Sequence, residues 1–197
     1  MVITEDCPDV ERPLPPFESF RVLNEVTLEQ VLESSNQLHN PNEWLYELCE
    51  PDAVLTPYSP RVYRYLTEYF ELKQQRPRGI VKREGMCPYC PLQVIDGRHR
   101  CFYDLNTSDY AVHLMYHHGI FTTGSFCLEP TVHKLAKEYK SRTKKIRLVE
   151  SVQCPYDGCG LVIKVNSKQA GSKLVSAYLR HVRNKHIDRR NHRRQKV

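Results

Sequence analysis

The feature that most constrains this chain is a pattern of cysteines and histidines that occurs twice. The first copy reads Cys-Pro-Tyr-Cys from Cys87 to Cys90, and 22 residues separate Cys90 from His113. The second copy places 21 residues between Cys159 and His181. Both copies end as Tyr-x-x-His-x4-His. Chance rarely produces such agreement, so incidental cysteines and histidines are a poor alternative.

Thiolate sulfur and imidazole nitrogen are the ligands that zinc prefers, and a structural zinc ion takes four of them in a tetrahedron. Closely spaced cysteines fit a tight turn, and paired histidines fit the end of a helix. We therefore predict two structural zinc ions. The predicted ligands are Cys87, Cys90, His113, His118, Cys154, Cys159, His181 and His186. His117 is an alternative to His118, but the alignment of the two copies favours His118.

The same residues argue against an enzyme. A catalytic zinc usually has three protein ligands and an open position, whereas each copy supplies four. Deaminase, hydrolase-elbow and phosphate-loop motifs are missing, so no small-molecule substrate is expected. Cys101 and Cys127 could form a partial third site with His133, although isolated cysteines are usually small buried hydrophobic residues.

The expected fold class is α+β, with two ββα-type zinc fingers enlarged by about ten residues over the usual spacer. Asp96-Gly97 indicates a hairpin turn in the first finger. Thr107 or Ser108 is expected to cap the first finger helix, and Ser172 the second. The predicted elements are strands over 91–95 and 161–165 and helices over 109–118 and 173–186.

Apolar residues at helical spacing predict flanking helices as well. They cover short stretches within 17–38, the segment 43–48 after Asn42, the run 61–75 after Ser59 and Pro60, and a basic helix from Pro130 to about 145. The predicted organisation is a flexible, acidic, partly disordered region 1–56, a helix and basic linker 57–86, a first finger 87–120, a basic helical connector 121–150, a second finger 151–187 and a basic tail 188–197.

Charge is unevenly distributed. Residues 1–72 hold 14 acids and four bases, a net of −10, whereas residues 73–197 hold nine acids and 25 bases, a net of +16. Such a basic region matches a polyanion, because each base near a phosphate releases condensed counterions. A solvated surface is the usual alternative for a charge run. The tail fits a nuclear-import signal or a phosphate contact, and the acidic region is a candidate docking surface for the transcription machinery.

A zinc finger normally reads bases from a helix in the major groove of double-stranded DNA. The second finger helix offers the predicted base contacts Lys173, Ser176, Arg180, Arg183 and Asn184. The connector offers Lys137, Lys140 and Lys144 for phosphates. No stretch of ten apolar residues occurs, which excludes a membrane span, and the acidic N-terminus is unlike a signal peptide. Inside the cell, the eight cysteines are expected to be metal ligands or buried thiols.

Three segments also carry a resemblance to a known family. They are Arg78-Gly79, the stretch from Gly85 to Cys90, and Tyr110-x-x-His113-x4-His118-Gly119-Ile120. Over about residues 57–187 the chain resembles the C-terminal domain of fungal regulators related to the ustilagic acid regulator of smut fungi. The resemblance implies a nuclear, sequence-specific DNA-binding transcription regulator with Cys87, Cys90, His113 and His118 as zinc ligands. An RNA-binding or protein-interaction module is the alternative.

Overall fold

The computed structural model describes residues 2–3, 8–10, 14, 16–49, 55–66, 82–169 and 171–187. The described residues contain both helices and antiparallel sheets, which confirms the α+β class. The strands are β1 Val2–Ile3, β2 Trp44–Leu48, β3 Val62–Leu66, β4 Arg83–Met86, β5 Val94–Ile95, β6 Arg98–His99, β7 Phe102–Asp104, β8 His133–Lys140, β9 Lys145–Gln153 and β10 Val162–Lys164.

The α-helices are short, and two of them continue into a π-helical turn. They are α1 Leu28–Ser35, α2 Asp109–His113 with the π turn Leu114–His118, and α3 Ser176–Val182 with the π turn Arg183–Ile187. Segments of 3-10 helix cover Phe17–Phe20, Pro41–Glu43 and Gly171–Val175. None of the helices described here is long and apolar enough to cross a membrane.

The chain divides into two compact units. The first unit is Arg21–Leu114, and the second unit combines Met1–Phe20 with Met115–Val197. Within the first unit, four antiparallel strands lie in the order β2-β3-β4-β7. Its core is formed by Val31, Val62, Met86, Cys101 and Phe102.

The first unit confirms the hairpin turn predicted at Asp96-Gly97, and it also contains a capping box that the sequence analysis did not predict. Asp96 and Gly97 both have positive φ, 50° and 61°, which is the backbone of a two-residue hairpin turn between β5 and β6. Thr27 begins α1 with a capping box, in which its side chain accepts from Gln30 N and the Gln30 side chain accepts from Thr27 N.

The second unit contains a four-stranded antiparallel sheet in the order β1-β8-β9-β10. Strands β8 and β9 form a long hairpin, paired from His133↔Val152 to Lys140↔Lys145. Helix α3 contributes Tyr178, Leu179 and Val182 to the core of this unit.

Two predicted flanking helices, over 43–48 and 61–75, are wrong, because their described residues form strands. Residues 44–48 form β2 and residues 62–66 form β3, and these two strands pair with each other from Trp44↔Leu66 to Leu48↔Val62. The rest of the predicted run, 67–75, lies outside the described residues. Valine and tyrosine favour extended backbone, and cross-strand pairing supplies partners that the sequence alone does not reveal.

The predicted basic helix from Pro130 to about 145 is also wrong. Residues 133–140 are β8, in which Ala136 is buried. Lys134, Lys137 and Lys140 are spaced for one helix face, but in a strand the middle lysine points to the opposite face from the other two. Within the predicted acidic arm, 17–20 and 28–35 are helical as predicted. The tail 188–197 lies outside the described residues.

Candidate metal centres

The first cysteine–histidine cluster lies between a pair of strands and a helix. Cys87 and Cys90 follow β4, whose partner β7 precedes α2. His113 ends α2 and His118 ends the π turn after it. The ligand atoms of these four residues all lie within 4.8 Å of one another, and Cys90 Sγ is 3.3 Å from His113 Nε2.

The second cluster repeats this arrangement. Cys154 and Cys159 lie in the loop between the paired strands β9 and β10, His181 lies in α3, and His186 lies in the following π turn. Cys154 Sγ is 3.4 Å from His186 Nε2, and Cys159 Sγ is 3.3 Å from His181 Nε2. The longer loop of this copy turns through Gly158, whose φ of 71° suits glycine.

The π turns explain how histidines five residues apart converge. In a regular α-helix five residues rotate the chain by about 500°, which leaves the two side chains about 140° apart. A π turn holds more residues per turn, so it reduces that angle and brings both imidazoles towards the cysteine loop. The same widened turn occurs in both copies, after His113 and around His186.

The observed separations suit a small tetrahedral ion. Zinc bonds of 2.0–2.3 Å would hold their donor atoms about 3.3 to 3.8 Å apart in a tetrahedron. The sulfur–nitrogen distances of 3.3 and 3.4 Å and the His181 Nε2–His186 Nε2 distance of 3.2 Å are close to this range. Two sulfur and two nitrogen donors can therefore hold a metal ion in each cluster.

The protein by itself does not favour thiolates at these positions. Burial raises the pKa of the Cys87 thiol and raises that of Cys154 to about 11. Burial lowers the pKa of His181, and the neighbouring His186 and Lys185 lower it further, which keeps this imidazole neutral and able to donate a lone pair. A divalent cation would supply the charge that makes the thiolates stable.

Groups around the ligands fix the imidazole rings. His118 Nδ1 donates a hydrogen bond to the carbonyl of Phe20, which leaves Nε2 to face the cluster. Tyr103 stacks on His113 with ring centroids 3.8 Å apart, and Tyr156 stacks on His186 at 4.4 Å. Tyr156 belongs to the repeated motif, whereas Tyr103 has no counterpart in the pattern and the sequence analysis missed it.

The eight predicted ligand residues lie in two groups of four, and the first group contains His118 rather than His117. The structure does not assemble the suggested third site. Cys101 lies in the core of the first unit, Cys127 in that of the second, and His133 Nε2 is 3.3 Å from Glu150 Oε2. Among the described residues, the two clusters account for all the groups of close metal-ligand atoms.

The predicted base-contact residues lie on and beside α3. Lys173, Arg180 and Asn184 are exposed, in the 3-10 turn, in α3 and in the π turn respectively, and Ser176 and Arg183 are half-buried. Arg180 Nε donates to the Tyr116 hydroxyl at 3.3 Å, and Arg183 Nε donates to Asn184 Oδ1 at 3.1 Å.

The predicted phosphate contacts lie elsewhere, on the β8–β9 hairpin. Lys137 and Lys140 belong to β8, Lys144 lies in the turn, and all three are exposed.

A buried charged network in the first unit was missed. Arg64 Nε donates to Glu84 Oε2 at 2.7 Å and Arg64 Nη1 donates to His99 Nδ1 at 3.3 Å, while the guanidinium lies 4.1 Å from the centre of the Trp44 ring. No local motif predicts this network, because its members come from four different strands, β2, β3, β4 and β6.

Comparison with known families places the chain among transcription regulators. It belongs to the family described as Transcription regulator Rua1, C-terminal, whose model matches residues 52–186, and this supports the relation to fungal regulators inferred from the sequence. Neither a curated protein nor a solved structure matches the chain.

Proposed function

We propose that the chain is a zinc-dependent, sequence-specific DNA-binding transcription regulator that acts in the nucleus. The observation that carries the proposal is the repeated cluster of two cysteines and two histidines, each set between an antiparallel strand pair and a helix. In this proposal both clusters are enlarged ββα zinc fingers and hold structural zinc ions through Cys87, Cys90, His113, His118, Cys154, Cys159, His181 and His186.

The proposed DNA-reading element is α3. Arg180 is exposed on α3, Lys173 is exposed in the 3-10 turn before it and Asn184 in the π turn after it, while Ser176 and Arg183 are half-buried. Arginine can pair with guanine O6 and N7, and asparagine with adenine, so these side chains suit the edges of bases in a major groove. The basic charge of residues 73–197 would supply the phosphate attraction.

The role of the metal in this proposal is structural. Each cluster offers four protein donors, which fills a tetrahedral zinc and leaves no coordination position for a substrate. Because metal binding and folding are one event in small zinc modules, DNA binding should require the metal.

The test is a binding selection with the zinc-loaded full chain and a pool of random duplex DNA. We expect an enriched motif, two zinc ions per chain by elemental analysis, and loss of binding after a chelator removes them. Arg180→Ala should relax the base preference at one position of the motif. The matched control is Lys168→Ala, at an exposed lysine in the loop after β10, which should leave the motif unchanged. A selection that yields no motif would refute sequence-specific binding, and preferred binding of structured RNA would favour the alternative function.

A further inference from the structure

The β8–β9 hairpin extends beyond the sheet to which it belongs. Strand β1 pairs with β8 at Lys137 and Glu138, and β10 pairs with β9 from Ser151 to Gln153. No other strand of the described part of the chain pairs with residues 139–149, and residues 139–148 are all exposed. Residues 139–148 are therefore two strands and a turn in solvent, and together with Lys137 and Glu138, which border β1, we call residues 137–148 the ribbon.

The ribbon has an uncompensated positive charge. Its single acid, Glu138, lies 2.5 Å from Arg147 and 3.3 Å from Lys164. The charge of Glu138 is therefore already paired with these two bases. No ion pair within the described residues joins an acid to the other bases of the ribbon. These bases are Lys137, Lys140, Arg142, Lys144 and Lys145.

One face of the ribbon is also apolar. Tyr139 pairs with Ile146 and Lys137 pairs with Leu148, which puts all four on the same face of the two strands. Tyr139, Ile146 and Leu148 are 45%, 66% and 55% exposed. Three large apolar side chains exposed next to one another, with lysines around them, are typical of an interaction surface. This face is therefore suited to a partner that is both apolar and anionic.

The major groove of duplex DNA has these properties and the right size. It is about 12 Å wide and about 8.5 Å deep, and it admits a two-stranded β-ribbon. Two residue pairs, Tyr139↔Ile146 and Lys140↔Lys145, and the turn that joins them lie beyond β1, so this end of the ribbon has the two-stranded form that the groove admits. The major groove of A-form RNA is too narrow for side chains to read, so the shape favours DNA over RNA.

We infer that the ribbon enters the major groove of duplex DNA as a second contact element beside α3. Tyr139 and Ile146 meet base edges and thymine methyl groups, and Lys137, Lys140 and Lys144 meet the flanking phosphates. The inference rests on the proposed DNA-binding function and adds a second reading element to it.

The test compares ribbon variants of the zinc-loaded full chain by fluorescence anisotropy with a duplex from the selection, over a range of salt concentrations. Replacing Lys137 and Lys140 with glutamine and Lys144 with glycine should reduce the slope of log affinity against log salt by about 2 to 3, since each phosphate contact contributes about 0.9. Lys144 has a φ of 52°, so Lys144→Gly removes charge while relieving the backbone.

The apolar face is tested by Tyr139→Thr with Ile146→Thr, since threonine also favours extended backbone and should keep both strands. Affinity should fall about five- to tenfold with little change in the salt slope, as expected for lost base contacts. Methylation of guanine N7 at bases that the ribbon contacts should weaken binding of the wild-type chain. At the same positions it should no longer affect binding of the variant. Ile95→Thr with Arg98→Gln makes matched changes on the exposed β5–β6 hairpin and should leave affinity unchanged.

The outcomes separate the two proposals. If the ribbon variants bind with wild-type affinity and salt slope while Arg180→Ala still blurs the motif, the ribbon inference is overturned and the DNA-binding function stands. If the wild-type chain binds no duplex, or binds structured RNA instead, both are overturned. Retention of two zinc ions by each variant shows that a loss of affinity is not a loss of folding. The single variant Lys144→Gly repeats the charge test at a turn position, outside the paired strands.

Discussion

Replacing Glu84 with glutamine should make the first unit easier to unfold, because it deprives the buried Arg64 guanidinium of its counter-ion. The two side chains are only 9% and 10% exposed, and Arg64 Nη2 lies 2.5 Å from Glu84 Oε2. Around the guanidinium are the Trp44 ring and His99 Nδ1. Burial first, and then the charge of Arg64, lower the pKa of His99 to about 4, so His99 is neutral near pH 7 and adds no second positive charge beside Arg64.

The size of the effect follows from this burial. Removing one partner of a buried ion pair costs about 3–5 kcal/mol, and we expect the lower end because glutamine keeps one acceptor for Arg64. Arg64→Met should cost less than Glu84→Gln. Lys82 Nζ lies 3.2 Å from Glu84 Oε1 and would still balance the carboxylate, and methionine retains much of the packing volume.

Trp44, the single tryptophan of the chain, makes the measurement local to this network. The assay is urea unfolding of the zinc-loaded chain followed by tryptophan fluorescence. Glu25→Gln, an exposed change in the same unit, is the control and should shift the free energy of unfolding by less than about 0.5 kcal/mol. A loss below about 1 kcal/mol for Glu84→Gln, the value of an exposed pair, would refute the reasoning.

Further predictions concern the clusters, the pH dependence and the DNA contact. His118→Ala should lower the zinc content from two ions to one and weaken folding around the first cluster, whereas His117→Ala should retain two ions, as elemental analysis would show. Because the folded-state pKa of His99 is about 4, below its ordinary value near 6.5, the stability of the first unit should be complete above pH 6.5 and fall between pH 6.5 and 4. Urea midpoints across that range measure this fall, and a midpoint that does not change would contradict it. Arg180→Ala should relax base preference at one position by about 1–3 kcal/mol, seen as a broader motif, and an unchanged motif would exclude a base contact.

The elements that surround the clusters could be predicted from the sequence because their signals are local. Cysteine and histidine spacing, the Asp96-Gly97 turn and the glycine at 119 each specify a short piece of backbone. The helices that carry His113 and His181 follow from apolar spacing over a few residues. The π turns could not be predicted, since five-residue histidine spacing fits several helix endings.

The flanking elements could not be predicted because their structure depends on distant partners. Residues 62–66 have apolar spacing that suits a helix as well as a strand, and their pairing with β2 and β4 decides between them. The lysines of β8 gave a false helical pattern for the same reason: their partner is β9, which starts after the turn. The charged pair of Arg64 and Glu84 appears only once β3 and β4 are in register.

Residues before the family match take part in the second unit. Phe17 is in its core and donates its backbone N–H to Glu129 Oε1, and the Phe20 carbonyl accepts from His118. A fragment that started at residue 52, where the match begins, would therefore expose a hydrophobic gap and leave one histidine ring free to rotate. The second unit therefore includes residues that lie before the segment matched by the family model.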